Sequence, residues 1–484
     1  MLSKIKKDLF SSFLFQILNF LSSFFIGIYL IKHLSVNDFG IYSILLTVSS
    51  FINIILTLNI YEYLNISLKD NKIENNVLLS SILTVTVCVN IIFILIIIFS
   101  PIKEIILSSL NISFDNLNLL LLVLIFSVFY AIYNVLMRYL MFSGQVSLYN
   151  VSNYLYLYLW FIIVFLLGFT FNLKNIFLMK VIAIIMISFL LLLIYYYSEK
   201  ITIKLKINFL IIKKALSFGM GTFIAAISFF IYGALDKYML SNMLNNNEVA
   251  YYTFANTPFN ILMTIVTNIL VLIMLPYINK LHERNIDDKF GLYHMLIKYI
   301  TIFVMPIFIF IIIFQDNIIL ILGKQEYLHV GKSFIYLSIS FYLSLLIFLP
   351  KHELYLSNKL KVVSSIFLIS VLLNICANYI LIPMYKYEGA IIGTLIANVT
   401  LIILLLQKSK ILILIGLYSD LTKMSILLFI VTFVLYFIRD FIEINTSFKT
   451  ILSIISVFII TYIVYIIILF NIGIIKKSDI KIIV

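Results

Sequence analysis

The sequence predicts an all-α polytopic membrane protein with about fourteen transmembrane helices. Two observations carry that prediction. Hydrophobic residues make up 63% of the 484 and charged residues 11%, against about 45–50% and about 25% in an average soluble domain. Uncharged runs long enough to cross a ~30 Å hydrocarbon core as helices also recur from one end of the chain to the other.

The opening stretch sets the pattern. Residues 9–31 hold 23 residues without a charge, KHLSVND breaks the run at 32–38, and residues 39–61 hold another 23. This reads as a transmembrane hairpin. The basic start, with Lys4, Lys6 and Lys7, resembles a signal peptide, but the apolar run is too long and no small-residue cleavage site follows, so a retained first helix is expected. A third span is expected over 77–99, stopped by Pro101, with the fourth and fifth over 117–142 and 149–169 and the sixth over 176–197. The basic segment 199–214 is expected along the cytoplasmic surface. Spans seven to twelve fall near 215–243, 250–278, 299–314, 330–349, 362–382 and 389–406, and a last pair near 424–438 and 450–470.

Charge sets the expected topology. With both termini in the cytoplasm, most Lys and Arg fall on the cytoplasmic side while the acidic residues divide evenly, as the positive-inside rule requires. The formal net charge of +13 then reflects basic cytoplasmic loops rather than a nucleic-acid partner. The chain also echoes itself. NDFGIYSI at 37–44 returns as NEVAYYTF at 247–254, pairing Asn37 with Asn247, Asp38 with Glu248, Gly40 with Ala250 and Tyr42 with Tyr252. Such a repeat implies halves of six helices each, related by an axis along the membrane normal. The expected divisions are an N-terminal bundle at 1–198, a cytoplasmic linker at 199–214, a C-terminal bundle at 215–407, and two further helices with a cytoplasmic tail at 408–484.

No phosphate-binding loop, dinucleotide fingerprint or HExxH motif is present, and the five histidines form no metal spacing. Cys88 and Cys376 support neither a disulfide framework nor a thiolate metal site. No catalytic residue, metal or cofactor is expected, so the chemistry left is transport. Its candidates are residues that are costly in lipid. Arg138 either faces a cavity or snorkels to the cytoplasmic headgroups. Asp236 and Lys237 either line a cavity or stabilise a helix end. Gln16 and Asn19 share a face of the first helix, and Asn53, Asn134, Asn374 and Asn378 join them as helix glue or as the lining of a hydrated interior. Pro258, Pro276 and Pro306 mark sites of helix kinking.

Three segments resemble the polysaccharide-exporter branch of the multidrug/oligosaccharidyl-lipid/polysaccharide superfamily, the O-antigen and capsule repeat-unit flippases. They are SSFFIGIYLIKHLSVNDFGIYSILLTVSS at 22–50, ALDKYMLSNMLNNNEVAYYTFA at 234–255 with Pro276 beyond it, and YILIPMYKYEGAIIGTLIAN at 379–398. The resemblance implies two six-helix bundles around a central cavity, with helices thirteen and fourteen outside. The implied cargo is an undecaprenyl-diphosphate-linked oligosaccharide, flipped to the outer leaflet of the bacterial inner membrane by alternating access. Arg138 is then the expected diphosphate contact, with Asp236 and Lys237 in a gate or coupling site. The implied partners are the lipid-linked oligosaccharide, membrane lipids and an associated glycan polymerase or glycosyltransferases, with the protein acting as a monomer. Coupling to a proton or sodium gradient stays open.

Two rivals remain. A drug antiporter of the same superfamily would place a carboxylate deep in the first helix, where this chain has Gln16 and Asn19. A glycan polymerase or transferase would need a large external loop or clustered carboxylates, and the sequence shows neither.

Overall fold

The computed structural model describes residues 2–68, 74–113, 117–198, 208–269, 289–357, 359–409, 418–442 and 448–475. The protein is an all-α multi-pass membrane protein. Ten of its helices are long and apolar enough to cross a membrane, among the described residues. Helix α4 (Asn75–Phe99) shows why lipid is the solvent. It buries Ser80, Ser81, Thr84, Thr86 and Asn90 and exposes Ile91, Ile92, Leu95, Ile96 and Ile98. In water that arrangement would be inside out; in hydrocarbon the polar groups need protein partners and the isoleucines do not.

The chain forms two compact units, 1–250 and 251–484. In the first, α1 (Leu2–His33) and α2 (Val36–Thr57) form the opening hairpin. Ser35 caps α2 by accepting a 3.1 Å bond from the Asp38 amide, and the Asp38 carboxylate suits the positive end of the helix dipole. The motif glycine Gly40 follows. A Cβ there would collide with the Asn246 carbonyl and meet the Ala250 nitrogen at 3.4 Å. Gly40 therefore packs against the second copy of its own motif, and only a residue without a side chain permits that approach.

Further along come α3 (Tyr63–Ser67), α4, α5 (Ile102–Ser109), α6 (Leu117–Phe142), α7 (Val146–Leu166), α8 (Leu173–Ser198) and α9 (Phe209–Met243), and α10 (Asn246–Ile269) runs across the boundary into the second unit. The core of the first unit joins α4, α6, α8 and the start of α9, with Leu79, Tyr133, Tyr139, Tyr195 and Ala215 among its buried residues. Helix α9 is tied to this unit at two places. In its first half, the Leu58 carbonyl lies 2.8 Å from where a Gly219 Cβ would be, and Asn59 donates to the Thr222 carbonyl at 3.3 Å. At its end, Ser241 donates to the Leu110 carbonyl at 2.6 Å and Asn242 to the Ser109 carbonyl at 3.0 Å.

The second unit holds α11 (Lys289–Ile313), α12 (Gln315–Leu322), a 3₁₀ segment (Gln325–Ser333), α13 (Phe334–Leu356), α14 (Leu360–Ser409), α15 (Tyr418–Arg439) and α16 (Phe448–Asn471). Ile302, Met424, Tyr465 and Leu469 pack α11, α15 and α16 together. Lys298 donates to the Ile474 carbonyl at 2.9 Å, and Arg439 pairs with Asp316 at 3.1 Å. An unbroken α14 would be about 75 Å long, more than twice the hydrocarbon thickness. Lys386, at φ 54 and ψ −134, turns it back into a hairpin.

The elements follow the charge pattern with instructive shifts. Helix α1 starts at Leu2 and includes Lys4, Lys6 and Lys7 of the basic start, because a helix does not end where the lipid does. Asn208 caps α9 by accepting from the Leu210 and Ile211 amides, so Lys213 and Lys214, the last residues of the expected linker, lie in its opening turns. The expected spans eleven and twelve are the two arms of α14. Pro258 and Pro306 lie within α10 and α11, whereas Pro276 and most of the basic linker fall outside the described residues.

Candidate functional site

The richest polar constellation lies in the first unit, where α2 meets α6. Asn134 donates to the Asn53 side-chain oxygen at 2.9 Å, and the buried Asn53 amide nitrogen finds no partner among the described residues. One turn beyond Asn134, Arg138 extends over the Tyr61 ring at 5.4 Å and pairs with Glu62 at 3.5 Å. Tyr61 donates to the Asn59 side-chain oxygen at 3.0 Å. Leu58 and Asn59 hold positive φ values of 46 and 51, which bends the chain so that Tyr61 and Glu62 face Arg138. Burial pushes the Tyr61 phenol above its usual 10.0, partly opposed by Arg138, so Tyr61 remains a neutral donor at physiological pH.

Beside this seam stand Tyr130, Tyr133 and Tyr156, with Tyr130 and Tyr156 ring centroids 5.3 Å apart and Tyr133 and Tyr156 4.8 Å apart. The site thus offers a half-exposed guanidinium, a spare amide donor and an aromatic wall. Guanidinium and amide donors suit phosphoryl and hydroxyl oxygens, and ring faces suit sugars.

The other candidates are spread more widely. Lys237 on α9 donates to the Ser43 hydroxyl on α2 at 2.9 Å, and Asp236 beside it is buried. Both lie at the far end of α2 from Arg138. On α1 the Asn19 carbonyl accepts from Tyr158 at 2.7 Å, and the Asn19 side-chain oxygen is buried without a partner among the described residues. The side chain of Gln16 lies outside the described part of α1. In the second unit, Asn374 and Asn378 sit inside the α14 hairpin. Asn378 donates to the Asn374 side-chain oxygen at 3.2 Å, and Asn374 lies 3.5 Å from the Thr394 hydroxyl on the returning arm. Arg138, Asn53 and Asn134 therefore come together, while the others do not join them.

Sequence reasoning missed Lys180. It lies within the sixth span, over the ring of Tyr42 at 5.3 Å and that of Trp160 at 4.8 Å. Its signal was plain: one lysine interrupting the otherwise uncharged run at 176–197.

Residues 30–332 match the family model described as polysaccharide biosynthesis protein. The chain belongs to that family, which bears out the resemblance read from its motifs. No curated protein matches it. Among solved structures, a lipid II flippase, MurJ, in an inward closed conformation is similar over 96% of this chain and 100% of its own, with TM-score 0.76 and 19% identity. An inward-facing multidrug resistance MATE family transporter of the MOP superfamily is similar over 82% of this chain and 94% of its own, with TM-score 0.56 and 13% identity. An outward-facing transporter of that description is similar over 87% and 96%, with TM-score 0.51 and 15% identity. At these identities the likeness establishes the fold, that of the MOP superfamily.

Proposed function

We propose that this protein is a flippase carrying undecaprenyl-diphosphate-linked oligosaccharide repeat units, destined for O-antigen, capsule or a related surface glycan, across the bacterial inner membrane. The observation that carries the reading is family membership in polysaccharide biosynthesis combined with a fold shared over nearly the whole chain with a lipid II flippase. Arg138 and Asn53 receive the diphosphate and first sugar, and the half-buried Tyr130 and Tyr156 beside them face the glycan. The lipid tail stays in the bilayer.

In this reading fourteen spans form two pseudo-symmetric six-helix bundles, over 1–198 and 215–407, joined by the basic linker at 199–214. The helices of 408–484 pack outside, and both termini are cytoplasmic. Asp236 and Lys237 belong to the gate or to a site that couples transport to a proton or sodium gradient. The protein acts as a monomer, handing its cargo to a glycan polymerase.

The test is glycan display in a deletion strain, scored with the leaflet that holds the lipid-linked repeat unit. Loss of surface glycan with intermediates trapped on the cytoplasmic side, both restored by the gene, is the expected result. Normal surface glycan in a strain without a second exporter would discard this cargo.

A further inference from the structure

The two lysines remote from Arg138 share a feature. Lys180 lies eight residues into α8, Lys237 seven residues from the end of α9, and Tyr42 and Ser43 seven and eight residues into α2. At ~1.5 Å per residue each is ~10 Å from a helix end, so the four residues occupy one depth. Lys180 reaches over the Tyr42 ring and Lys237 bonds to Ser43, so both ammonium groups contact neighbouring residues on a single turn of α2. Tyr42 and Trp160 are buried, and neither lysine has a carboxylate at ion-pair distance among the described residues. Arg138 and Arg439, by contrast, each have an acidic partner.

Two ammonium groups placed within a membrane-spanning bundle on one turn, with no carboxylate at ion-pair distance among the described residues, are costly. Ring faces and one hydroxyl offset only part of that cost. A ligand with two or more negative charges would remove it. Along α2 this turn lies ~20 Å from the Thr57 end, where Arg138 sits with Tyr61 and Glu62.

We propose that Lys180 and Lys237, with Ser43, form a second station for the diphosphate of a lipid carrier, at the end of the first unit opposite Arg138. The proposal rests on the flippase reading and adds to it a place where the headgroup is held after leaving Arg138. Two separated cationic stations give the diphosphate a counter-charge at each end of its passage.

The protein carries its own reporter. Trp160 is its single tryptophan, and Lys180 lies 4.8 Å from its ring centroid. The experiment titrates the full-length protein, in phosphatidylcholine nanodiscs, with undecaprenyl diphosphate and follows Trp160 emission. A saturable change is expected. K180Q with K237Q should weaken the apparent affinity at least tenfold, while K180R with K237R should restore it. K174Q, an exposed lysine on the same helix, should match the parent. Inorganic diphosphate in a parallel arm separates the anion from its lipid: a response to both, or to the lipid form alone, supports the station. An equal response to phosphatidylglycerol would overturn it, because any anionic headgroup would then suffice. So would an unchanged titration in the K180Q/K237Q protein, or in K180R/K237R and parent proteins that show no response. If the emission responds but the deletion strain displays normal glycan, the flippase reading falls and the anion site stands. If display needs the gene but the emission is silent, only the station falls.

Discussion

Asn134 of α6 donates a 2.9 Å hydrogen bond to Asn53 of α2, and this pair locks the two helices that carry Arg138 and the Tyr61–Glu62 bend. The bond is part-buried, with Asn53 itself buried, so its loss is asymmetric: one leucine strands an amide, whereas two leucines strand none. Asn134→Leu is expected to cost ~1–3 kcal/mol, and the Asn53→Leu, Asn134→Leu double variant less than either single change. Thermal unfolding in detergent measures this. If the double variant is as stable as the parent but exports no glycan, Asn53 acts on the substrate; if it exports normally, the pair is glue.

Arg138 should divide stability from transport. Its pair with Glu62 is partly exposed, at 38% and 26%, so Arg138→Ala is expected to shift stability by less than ~1 kcal/mol. Surface glycan should nonetheless fall strongly, and Arg138→Lys should recover only part of it, since an ammonium cannot reproduce two parallel guanidinium bonds. Normal display by a properly inserted Arg138→Ala protein would remove Arg138 from the site.

The α14 hairpin makes a packing prediction. A Cβ on Gly393 would run into the Asn378 side-chain oxygen, and one on Gly389 into the Leu381 carbonyl. Gly393→Ala is expected to destabilise the protein by ~1–3 kcal/mol. Adding Asn378→Ala clears the obstruction and should recover part of the loss, whereas the same addition to Gly389→Ala should not. Unfolding midpoints and detergent-stable yield report both.

The α5 turn makes a dynamic one. Asn111, at φ 48, donates to the Ser241 and Asn242 carbonyls, and Asn246 donates to the Leu110 and Asn111 carbonyls. Asn111→Gly keeps the backbone conformation and deletes only the side-chain bonds. Hydrogen exchange over 241–246 should then rise about tenfold or more, as one or two net hydrogen bonds are lost. Unchanged exchange would mean that Ser241 and Asn242 hold the α9–α10 turn without Asn111.

Much of this was legible beforehand because a hydrocarbon core imposes a length on every span. The uncharged runs at 9–31 and 39–61 became α1 and α2, and the segment 379–398 became a kinked hairpin whose glycines have work to do. Lys180 was overlooked because a single lysine does not break a hydropathy average. Helix α9 begins at Phe209, inside the stretch read as a linker, because Asn208, an ordinary asparagine in an asparagine-rich chain, gives no sign in sequence that it caps a helix.

The sequence by itself determined that this chain lives in lipid as a multi-pass bundle of helices, and which family it resembles. Composition and run length decide those matters, since they follow from the free energy of transferring residues one at a time. Only the tertiary structure decided which polar residues meet. Asn53 finds Asn134 across 81 positions, Lys237 finds Ser43 across 194, and Gly40 meets the backbone at Asn246. Such pairings depend on how helices are rotated and stacked against one another, which close packing fixes and a hydropathy pattern does not.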